Sequence, residues 1–208
     1  MAEMKKLIGD PDRNRTCIKS LGNFYSIRLT TGSEAAKLIL KFLYFIADLS
    51  KFQLYIRQMR LVIQRVLMAE LMIQSKIQDS IQNGLLVLLG ICEDDEKEDA
   101  TWLANKLVQL RIFSDADGKM NLSVIDTNGS LLIVSQFTLF AETKKGNRPS
   151  FIRAAKPAIA IPLYAYFIGQ CDLQMGKKSA TGVFGADMQI HLTNDGPVTI
   201  VMDSKNRE

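Results

Sequence analysis

The feature of this sequence that most constrains its fold is the apolar run Gly84–Ile91. It begins at the glycine of the pair Asn83-Gly84 and precedes the acidic segment Glu93–Asp99. Its eight residues are far fewer than the roughly 20 that a membrane-spanning helix needs. A short apolar run that begins at a turn signal is typical of a fully buried strand. The sequence therefore predicts a buried strand here, with Asn83-Gly84 as the turn of a hairpin.

Other segments also carry the spacing of β-strands. In Arg60–Leu67 the side chains alternate, so that Leu61 and Ile63 share one face with Arg65, which suits a half-buried strand. The remaining predicted strands are Leu71–Ile81, Ser130–Phe140, Ala186–Leu192 and Val198–Val201, the last two joined across residues 193–197.

Two helices complete the predicted domain. The acidic residues of Glu93–Asp99 suit a helix start, where the helix dipole favours negative charge, and apolar residues follow from Trp102 to Leu110 at helical spacing. Residues 157–173 predict a second helix, in which Pro162 is tolerable only within the first turn. Its core-facing residues are Leu163, Tyr164, Phe167, Ile168 and Cys171. The predicted fold class is α/β, dominated by sheet.

The first 58 residues differ in character from the rest of the chain. They hold ten Lys and Arg against five Asp and Glu, whereas residues 59–208 hold sixteen against seventeen. Any acidic partner of residues 59–208 must therefore bind local basic patches. The apolar stretch 38–56 predicts a helix, which is either an amphipathic docking helix or part of a loosely ordered appendage. We predict an extension over residues 1–58, helical or the product of a mis-assigned start with Met59 as the true one, and a domain over residues 59–208.

The usual signatures of enzymes and metal sites are missing from this sequence. Cys17, Cys92 and Cys171 are odd in number and widely spaced, which argues against a disulfide framework and fits a reducing cytoplasm. His191 is the one histidine and is predicted on a strand surface. Nothing predicts a metal or a cofactor, so an enzyme with this sequence must work without a conventional side-chain triad.

Two segments do not fit a purely structural interpretation. Val134–Phe140 places Ser135, Gln136 and Thr138 within an otherwise apolar strand, where unpaired polar groups would be costly unless they line a pocket. Asn194–Thr199 contains Gly196-Pro197, one of the few kinds of peptide bond that adopts the cis form at modest cost.

Taken together, Ser135–Leu139 and Asn194–Thr199 resemble the two signature motifs of the D-aminoacyl-tRNA deacylases, also called D-tyrosyl-tRNA deacylases. The resemblance runs from Met59 to about Val201. It includes Gln64–Val66, Gly84–Gly90, Arg111–Asp115, Gly118–Leu122, Gly146–Phe151 and Thr181–Gln189. It implies a β-barrel-like sheet with flanking helices and a homodimer with its active site at the interface. The implied activity is hydrolysis of the ester between a D-amino acid, or mischarged glycine, and tRNA in the cytoplasm, without a cofactor or a membrane.

The resemblance also implies a role for each motif residue. Backbone N–H groups around Phe137 and Thr138 form the oxyanion hole, while Ser135 and Gln136 orient the substrate amine and the terminal adenosine. Thr138 is a possible nucleophile in the family, but we favour a positioning role because no base is in sight to activate its hydroxyl.

Selection between mirror-image substrates is implied to rest on Gly196 and Pro197, lent by the neighbouring subunit. Their carbonyls occupy the space that an L side chain needs, and Arg65 braces them; this is selectivity by exclusion. The resemblance also implies that Met188 and Asn194 line the substrate pocket.

Three basic residues, Lys144, Lys145 and Arg148, follow the first motif, with Arg153 nearby. They either hold acceptor-stem phosphates through sequence-blind contacts or form a solvated loop. Two alternatives to the deacylase stay open at this point. One is a non-catalytic, dimeric nucleic-acid-binding module on the same fold, and the other is an esterase for small molecules.

Overall fold

The structure is a computed structural model that describes residues 16–18, 27–29, 58–144 and 146–206. The chain divides into two compact units, Met1–Tyr55 and Ile56–Glu208. In the first unit, β1 (Thr16–Ile18) and β2 (Ile27–Leu29) pair antiparallel. The helix predicted over residues 38–56 lies outside the described residues.

The second unit is built around a six-stranded sheet with strand order β10-β3-β5-β8-β9 and with β4 also paired to β3. The sheet curls so that β4 lies against β8 and β9, which makes it barrel-like and nearly closed. Two helices pack beside it, and within the described residues no helix is long and apolar enough to cross a membrane. The strands are β3 (Arg60–Ile73), β4 (Lys76–Ile81), β5 (Gly84–Gly90), β6 (Phe113–Ser114), β7 (Met120–Leu122), β8 (Ser130–Ser135), β9 (Ala180–Thr181) and β10 (Gln189–Asp203). The helices are α1 (Lys97–Gln109) and α2 (Pro157–Met175).

The long strand β3 corrects the predicted bounds of two strands and the position of the hairpin. It continues past Leu67 to Ile73, so the predicted strand Leu71–Ile81 is divided between β3 and β4. The hairpin turn is Gln74-Ser75, whose φ angles of 50° and 61° are left-handed. These angles are usual in two-residue hairpin turns, but neither residue type signals them. The predicted hairpin at Asn83-Gly84 is wrong, because β4 and β5 both pair antiparallel with successive parts of β3. The bend between them therefore does not reverse the chain.

Gly84 is needed for a different reason, the close approach of β8. A Cβ at this position would lie 1.9 Å from the carbonyl oxygen of Ser130. Gly84 is opposite Ser130 at the start of the parallel β5–β8 ladder. The glycine thus lets β8 pair alongside β5, which confirms the predicted buried strand and places the segment after β8 near the end of β5.

The predicted pair of strands at the end of the chain is wrong, because β10 is one strand of 15 residues. It pairs antiparallel with β3 on both sides of an irregularity, where Asn194 is opposite Val66 and Thr199 is opposite Gln64. Four residues of β10 therefore bulge out against the single residue Arg65 of β3. A bulge of this kind aims side chains away from the ladder.

Two apolar cores fill the unit. The larger lies between α1, α2 and the sheet face that carries Leu61 and Ile63. Phe167 of α2 is fully buried in it. The smaller, on the other face, includes Val66, Leu86 and Leu132. Pro162 is the sixth residue of α2, beyond the first turn where it was expected. The helix therefore continues through it without the hydrogen bond that a proline N cannot donate.

The start of α1 confirms the predicted acidic N-terminus and contains a buried carboxyl group. Glu96 and Asp99 form a capping box. Asp95 is 6% exposed, and its Oδ2 accepts a 2.6 Å hydrogen bond from the N–H of Cys92. Burial raises the pKa of Asp95 to about 7, and the neighbouring Asp99 adds to the rise while Lys205 opposes it.

Candidate active site

The first predicted motif lies where β8 ends and not within a strand. β8 stops at Ser135, and residues Phe137–Phe140 form a short 3₁₀ helix. The prediction of one strand through Phe140 is therefore wrong. Alternating polar and apolar residues suit either a strand or a tight turn, so periodicity could not separate the two. Ser135 and Gln136 are half-buried at the entry to the 3₁₀ helix, while Phe137 and Thr138 are exposed.

This 3₁₀ helix is fixed against the end of β5. The N–H of Gln136 donates to the carbonyl oxygen of Leu89 at 2.8 Å. A Cβ on Gly90 would lie 3.0 Å from the ring of Phe140 and 3.2 Å from Cβ of Leu139. The glycine therefore leaves the space into which the 3₁₀ helix packs.

The N-terminal end of the 3₁₀ helix offers backbone donors. The first N–H groups of a helix have no carbonyl partner within it. Within the described part of the chain, the N–H groups of Phe137 and Thr138 donate to no protein acceptor, whereas Leu139 and Ala141 donate to the carbonyls of Gln136 and Thr138. Two neighbouring unpaired N–H groups in an exposed position can bind an oxyanion.

The side chains around these donors are polar and aromatic. Nε2 of Gln136 donates a short hydrogen bond to Oγ1 of Thr138, which orients the hydroxyl. Phe137, 57% exposed, meets the ring of Phe151 edge to face with centroids 5.1 Å apart. Phe151 is a neighbour that the sequence did not indicate.

His191 belongs to another part of the sheet, as an exposed residue of β10 opposite Glu70 of β3. The predicted surface histidine is thus confirmed.

The second predicted motif forms the bulge of β10. The peptide bond between Gly196 and Pro197 is cis, and both residues are exposed. Gly196 has a φ of 112°, a conformation open to glycine and rare for other residues. The bulge therefore leaves this dipeptide exposed at the edge strand β10.

Arg65 lies behind the bulge and is almost completely buried, with 7% exposure. Its Nε is 2.8 Å from Oδ2 of Asp195, an ion pair without the alignment of a hydrogen bond. Its Nη1 donates a short hydrogen bond to the carbonyl of Ile112, and its guanidinium lies 6.0 Å from the ring centroid of Phe113. Arg65 thus connects the bulge to the segment after α1.

The two motifs do not meet within one chain. The 3₁₀ helix is level with Leu61 of β3, because Gln136 bonds Leu89 and Leu89 is opposite Leu61. The bulge is opposite Arg65, four residues further along β3 and three strands across from β8. At about 3.3 Å per residue and 4.8 Å per strand, the separation along the sheet is on the order of 20 Å.

The two predicted pocket residues lie in β10 or just before it. Met188 packs on Gly182, and a Cβ on that glycine would lie 2.6 Å from Sδ of Met188. Met188 also borders the smaller core. Asn194 begins the bulge, and its Oδ1 is buried without a hydrogen-bond partner in the described residues. Asn194 therefore lies beside the Gly196-Pro197 bulge, and Met188 is half-buried against the smaller core. That both line the substrate pocket stays a prediction.

The predicted phosphate-binding residues follow the 3₁₀ helix. Lys144 and Arg148 are exposed in the segment that the isolated bridge between Glu142 and Ser150 closes. Lys145 lies outside the described residues. Arg153 is half-buried, and its carbonyl accepts a hydrogen bond from Sγ of Cys92.

Comparisons with known proteins agree on one family. The family model described as D-Tyr-tRNA(Tyr) deacylase matches residues 62–203. A D-aminoacyl-tRNA deacylase of Flavobacterium psychrophilum is 59% identical over 150 residues, which cover 72% of this chain and 100% of that protein. The D-aminoacyl-tRNA deacylase of Cytophaga hutchinsonii is 61% identical over 147 residues, covering 71% of this chain and 98% of its own.

Two solved structures have similar folds. One, named c-Myc DNA Unwinding Element Binding Protein, is 36% identical with a TM-score of 0.64, and the match covers 69% of this chain and 97% of that one. The other, described as a probable eukaryotic D-amino acid tRNA deacylase, is 17% identical with a TM-score of 0.63 and covers 70% of this chain and 99% of its own. The second likeness concerns the fold alone.

Proposed function

Because the chain belongs to the D-Tyr-tRNA(Tyr) deacylase family and is a D-aminoacyl-tRNA deacylase, we propose that its active site is the 3₁₀ helix Phe137–Phe140 of one subunit, completed by the Gly196-Pro197 bulge of a second copy. The observation that carries this proposal is the pair of N–H groups at Phe137 and Thr138, which donate to no acceptor among the residues that the structure describes. They lie at the exposed end of the first motif.

The proposed reaction is hydrolysis without a cofactor. Water adds to the ester carbonyl, and the resulting oxyanion accepts hydrogen bonds from the N–H groups of Phe137 and Thr138. The bond from the carbonyl carbon to the ribose oxygen then breaks, and that oxygen takes a proton, which releases the D-amino acid and tRNA. The ester is already activated, and the vicinal ribose hydroxyl assists. Losing one oxyanion donor typically costs roughly 10²–10³ in rate.

The polar side chains of the motif position the substrate. Gln136 and Ser135 stand at the entry to the 3₁₀ helix, where they orient the substrate amine and the terminal adenosine. The bond from Gln136 to Oγ1 of Thr138 supports a positioning role for that hydroxyl. No His, Asp or Glu is bonded to this hydroxyl in the described residues, so nothing activates it as a nucleophile.

Chiral selection in this proposal comes from the Gly196-Pro197 bulge of the partner copy. The dipeptide is exposed, and the buried Arg65 contacts the bulge that carries it. A rigid backbone element beside the Cα of the substrate leaves no room for an L side chain, while a D side chain or a hydrogen atom fits. The separation on the order of 20 Å within one chain supports a second copy as its source.

An incompletely covered apolar row supports the same homodimer. Val201, Val62 and Leu88 are directly opposite one another in β10, β3 and β5, on the sheet face away from the helices. Val201 is 61% exposed, and the other two are half-buried. A second copy would bury this row, which is the usual arrangement of a twofold interface.

We propose that the tRNA backbone is held by Lys144 and Arg148, which are exposed on the segment after the 3₁₀ helix. Such contacts add affinity that falls with salt and does not read sequence. We place the enzyme in the cytoplasm, where aminoacylated tRNA is made and used, and assign it to quality control of translation.

A second candidate function is a nucleic-acid-binding module without hydrolysis. It is favoured by the 36% identity to the structure named c-Myc DNA Unwinding Element Binding Protein. Against it stand the exposed N–H groups of Phe137 and Thr138, for which the described part of the chain offers no acceptor. This alternative would be favoured if the protein bound duplex DNA and hydrolysed no aminoacyl-tRNA.

The composite site is tested by mixing two inactive variants. Phe137→Pro removes one N–H donor, and Gly196→Val fills the bulge, so each homodimer has two defective sites. A mixed dimer has one intact site, and random pairing of equal amounts restores about one quarter of the parent activity. If the mixture stays inactive although mixed dimers form, the shared site is wrong.

A further inference from the structure

Arg60, the first residue of β3, contacts the 3₁₀ helix through its side chain. Arg60 is opposite Gly90 of β5 and Asp203 of β10 in the two ladders. Nη1 of Arg60 donates a 3.2 Å hydrogen bond to the carbonyl oxygen of Leu139. We propose that Arg60 is a positioning residue, which holds the 3₁₀ helix so that the N–H groups of Phe137 and Thr138 point at the oxyanion.

A carboxylate fixes the orientation of this guanidinium. Nε of Arg60 donates to Oδ1 of Asp203 at 2.8 Å, and Nη2 donates to Oδ2 at 3.2 Å. The carboxylate is 16% exposed and the arginine side chain 34%. A two-point contact of this kind fixes the guanidinium plane. The remaining nitrogen, Nη1, is then directed at Leu139.

The 3₁₀ helix depends on such outside contacts because it has few of its own. It spans four residues, and Phe140 is its buried member. At its entry Gln136 bonds β5, and at its exit Arg60 bonds the carbonyl of Leu139. Without Arg60 the exit would keep the hydrogen bond from Ala141 to Thr138 but would lose its side-chain hydrogen bond to β3, which fixes its orientation on the sheet.

The contact also separates two functions within the site. Arg60 touches the 3₁₀ helix, whereas Arg65 touches the Gly196-Pro197 bulge. Loss of Arg60 therefore affects the rate of ester cleavage and leaves the discrimination between D and L substrates intact. A residue with a merely structural role would not produce that split.

The inference rests on the proposed function, and its experiment has two readouts. The variants are Arg60→Gln, Arg60→Lys and Asp203→Asn. The matched control is Arg111→Gln, since Arg111 also bonds a backbone carbonyl and a side chain, both of Asn121, at 2.7 and 3.2 Å. We measure kcat and KM on D-tyrosyl-tRNA, the ratio of D to L cleavage, and amide hydrogen exchange over residues 139–141.

For Arg60→Gln we expect kcat to fall by roughly 10- to 100-fold, the cost of a donor misplaced by about 1 Å. KM and the D-to-L ratio stay within about twofold of the parent values. Arg60→Lys recovers part of the rate, and the kcat of Asp203→Asn lies between those of the two Arg60 variants. Exchange rises at the amides of residues 139–141, which follow the two unpaired N–H groups, and nowhere else. The control keeps the parent values.

The inference is overturned if folded Arg60→Gln keeps its kcat, or if the amides of residues 139–141 exchange no faster. It is also overturned if the D-to-L ratio falls together with kcat. A parent enzyme that leaves D-tyrosyl-tRNA intact would instead refute the proposed function, and hydrogen exchange would still decide whether Arg60 holds the 3₁₀ helix. If Arg60→Gln fails to fold, Asp203→Asn and Arg60→Lys give the same comparison.

Discussion

Nη2 of Arg65 lies 3.1 Å from the position that a Cβ on Gly196 would occupy. The buried guanidinium thus lies in contact distance of the exposed dipeptide, and its Nε is paired with Asp195 in the same bulge. A backbone element that must reject one mirror image needs a fixed position. In our account Arg65 supplies it.

Arg65→Gln should reduce the ratio of D to L cleavage by roughly 10- to 100-fold, because the bulge loses its ion pair and shifts. The ratio is measured with D- and L-tyrosyl-tRNA at equal concentration. Arg111→Gln, which removes an exposed guanidinium bonded to Asn121, serves as control. An unchanged ratio in the folded Arg65 variant would show that Arg65 does not set selectivity.

Thr138→Ala should lower kcat by no more than about 10- to 100-fold, because the hydroxyl positions the substrate while the backbone N–H persists. Loss of a true nucleophile typically costs about 10⁴-fold or more. The check is a single-turnover measurement with D-tyrosyl-tRNA, together with mass spectrometry of the quenched enzyme. A D-tyrosyl ester on Thr138 of the parent would contradict the positioning role.

Asp95 should make the protein less stable as pH rises. Burial raises the pKa of this carboxyl from 3.8 to about 7, so between those values the folded state keeps a proton that the unfolded state has lost. The free energy of unfolding therefore falls as pH rises through this window and reaches its lower level above pH 7.

Asp95→Asn removes that titration, so the variant should be more stable than the parent at pH 8 and lose little stability between pH 5 and 8. Urea unfolding followed by the fluorescence of Trp102 measures both. Asp99 and Lys205 face the same carboxyl and stay unchanged. Equal pH dependence in parent and variant would assign the effect elsewhere.

The basic residues after the 3₁₀ helix should govern the salt dependence of tRNA binding. Replacing Lys144 and Arg148 by Gln should lower the slope of log K against log salt by about 2, one for each lost phosphate contact. The charge-matched control replaces Lys97 and Lys106 of α1, which lie over Tyr166 and Trp102. Equal slopes for the two double variants would remove Lys144 and Arg148 from the tRNA-binding surface.

Local sequence patterns predicted the elements that burial determines. The apolar run of β5, the alternation at the start of β3 and the acidic start of α1 were all predicted correctly, because each depends on neighbouring residues. Periodicity could not find the turn at Gln74-Ser75, where two non-glycine residues take left-handed φ angles. It also divided β10 in two, because the bulge exists only against the continuous β3.

Long-range contacts explain what the sequence missed in the site. The motif residues were identified by resemblance, but the end of β8 at Ser135 depends on packing of the 3₁₀ helix against Gly90. Arg60 had no signal, because it is 79 residues from Leu139 and 143 from Asp203 in the chain. Such contacts become visible only when the sheet is assembled.

The measurement that tests the central claim most directly is hydrolysis of D-tyrosyl-tRNA against L-tyrosyl-tRNA, with the full chain and with a version that starts at Met59. Our account predicts rapid loss of the D ester and persistence of the L ester. The version from Met59 contains the residues of both motifs and should show the same preference. Equal cleavage of both esters, or of neither, by both versions would contradict the account.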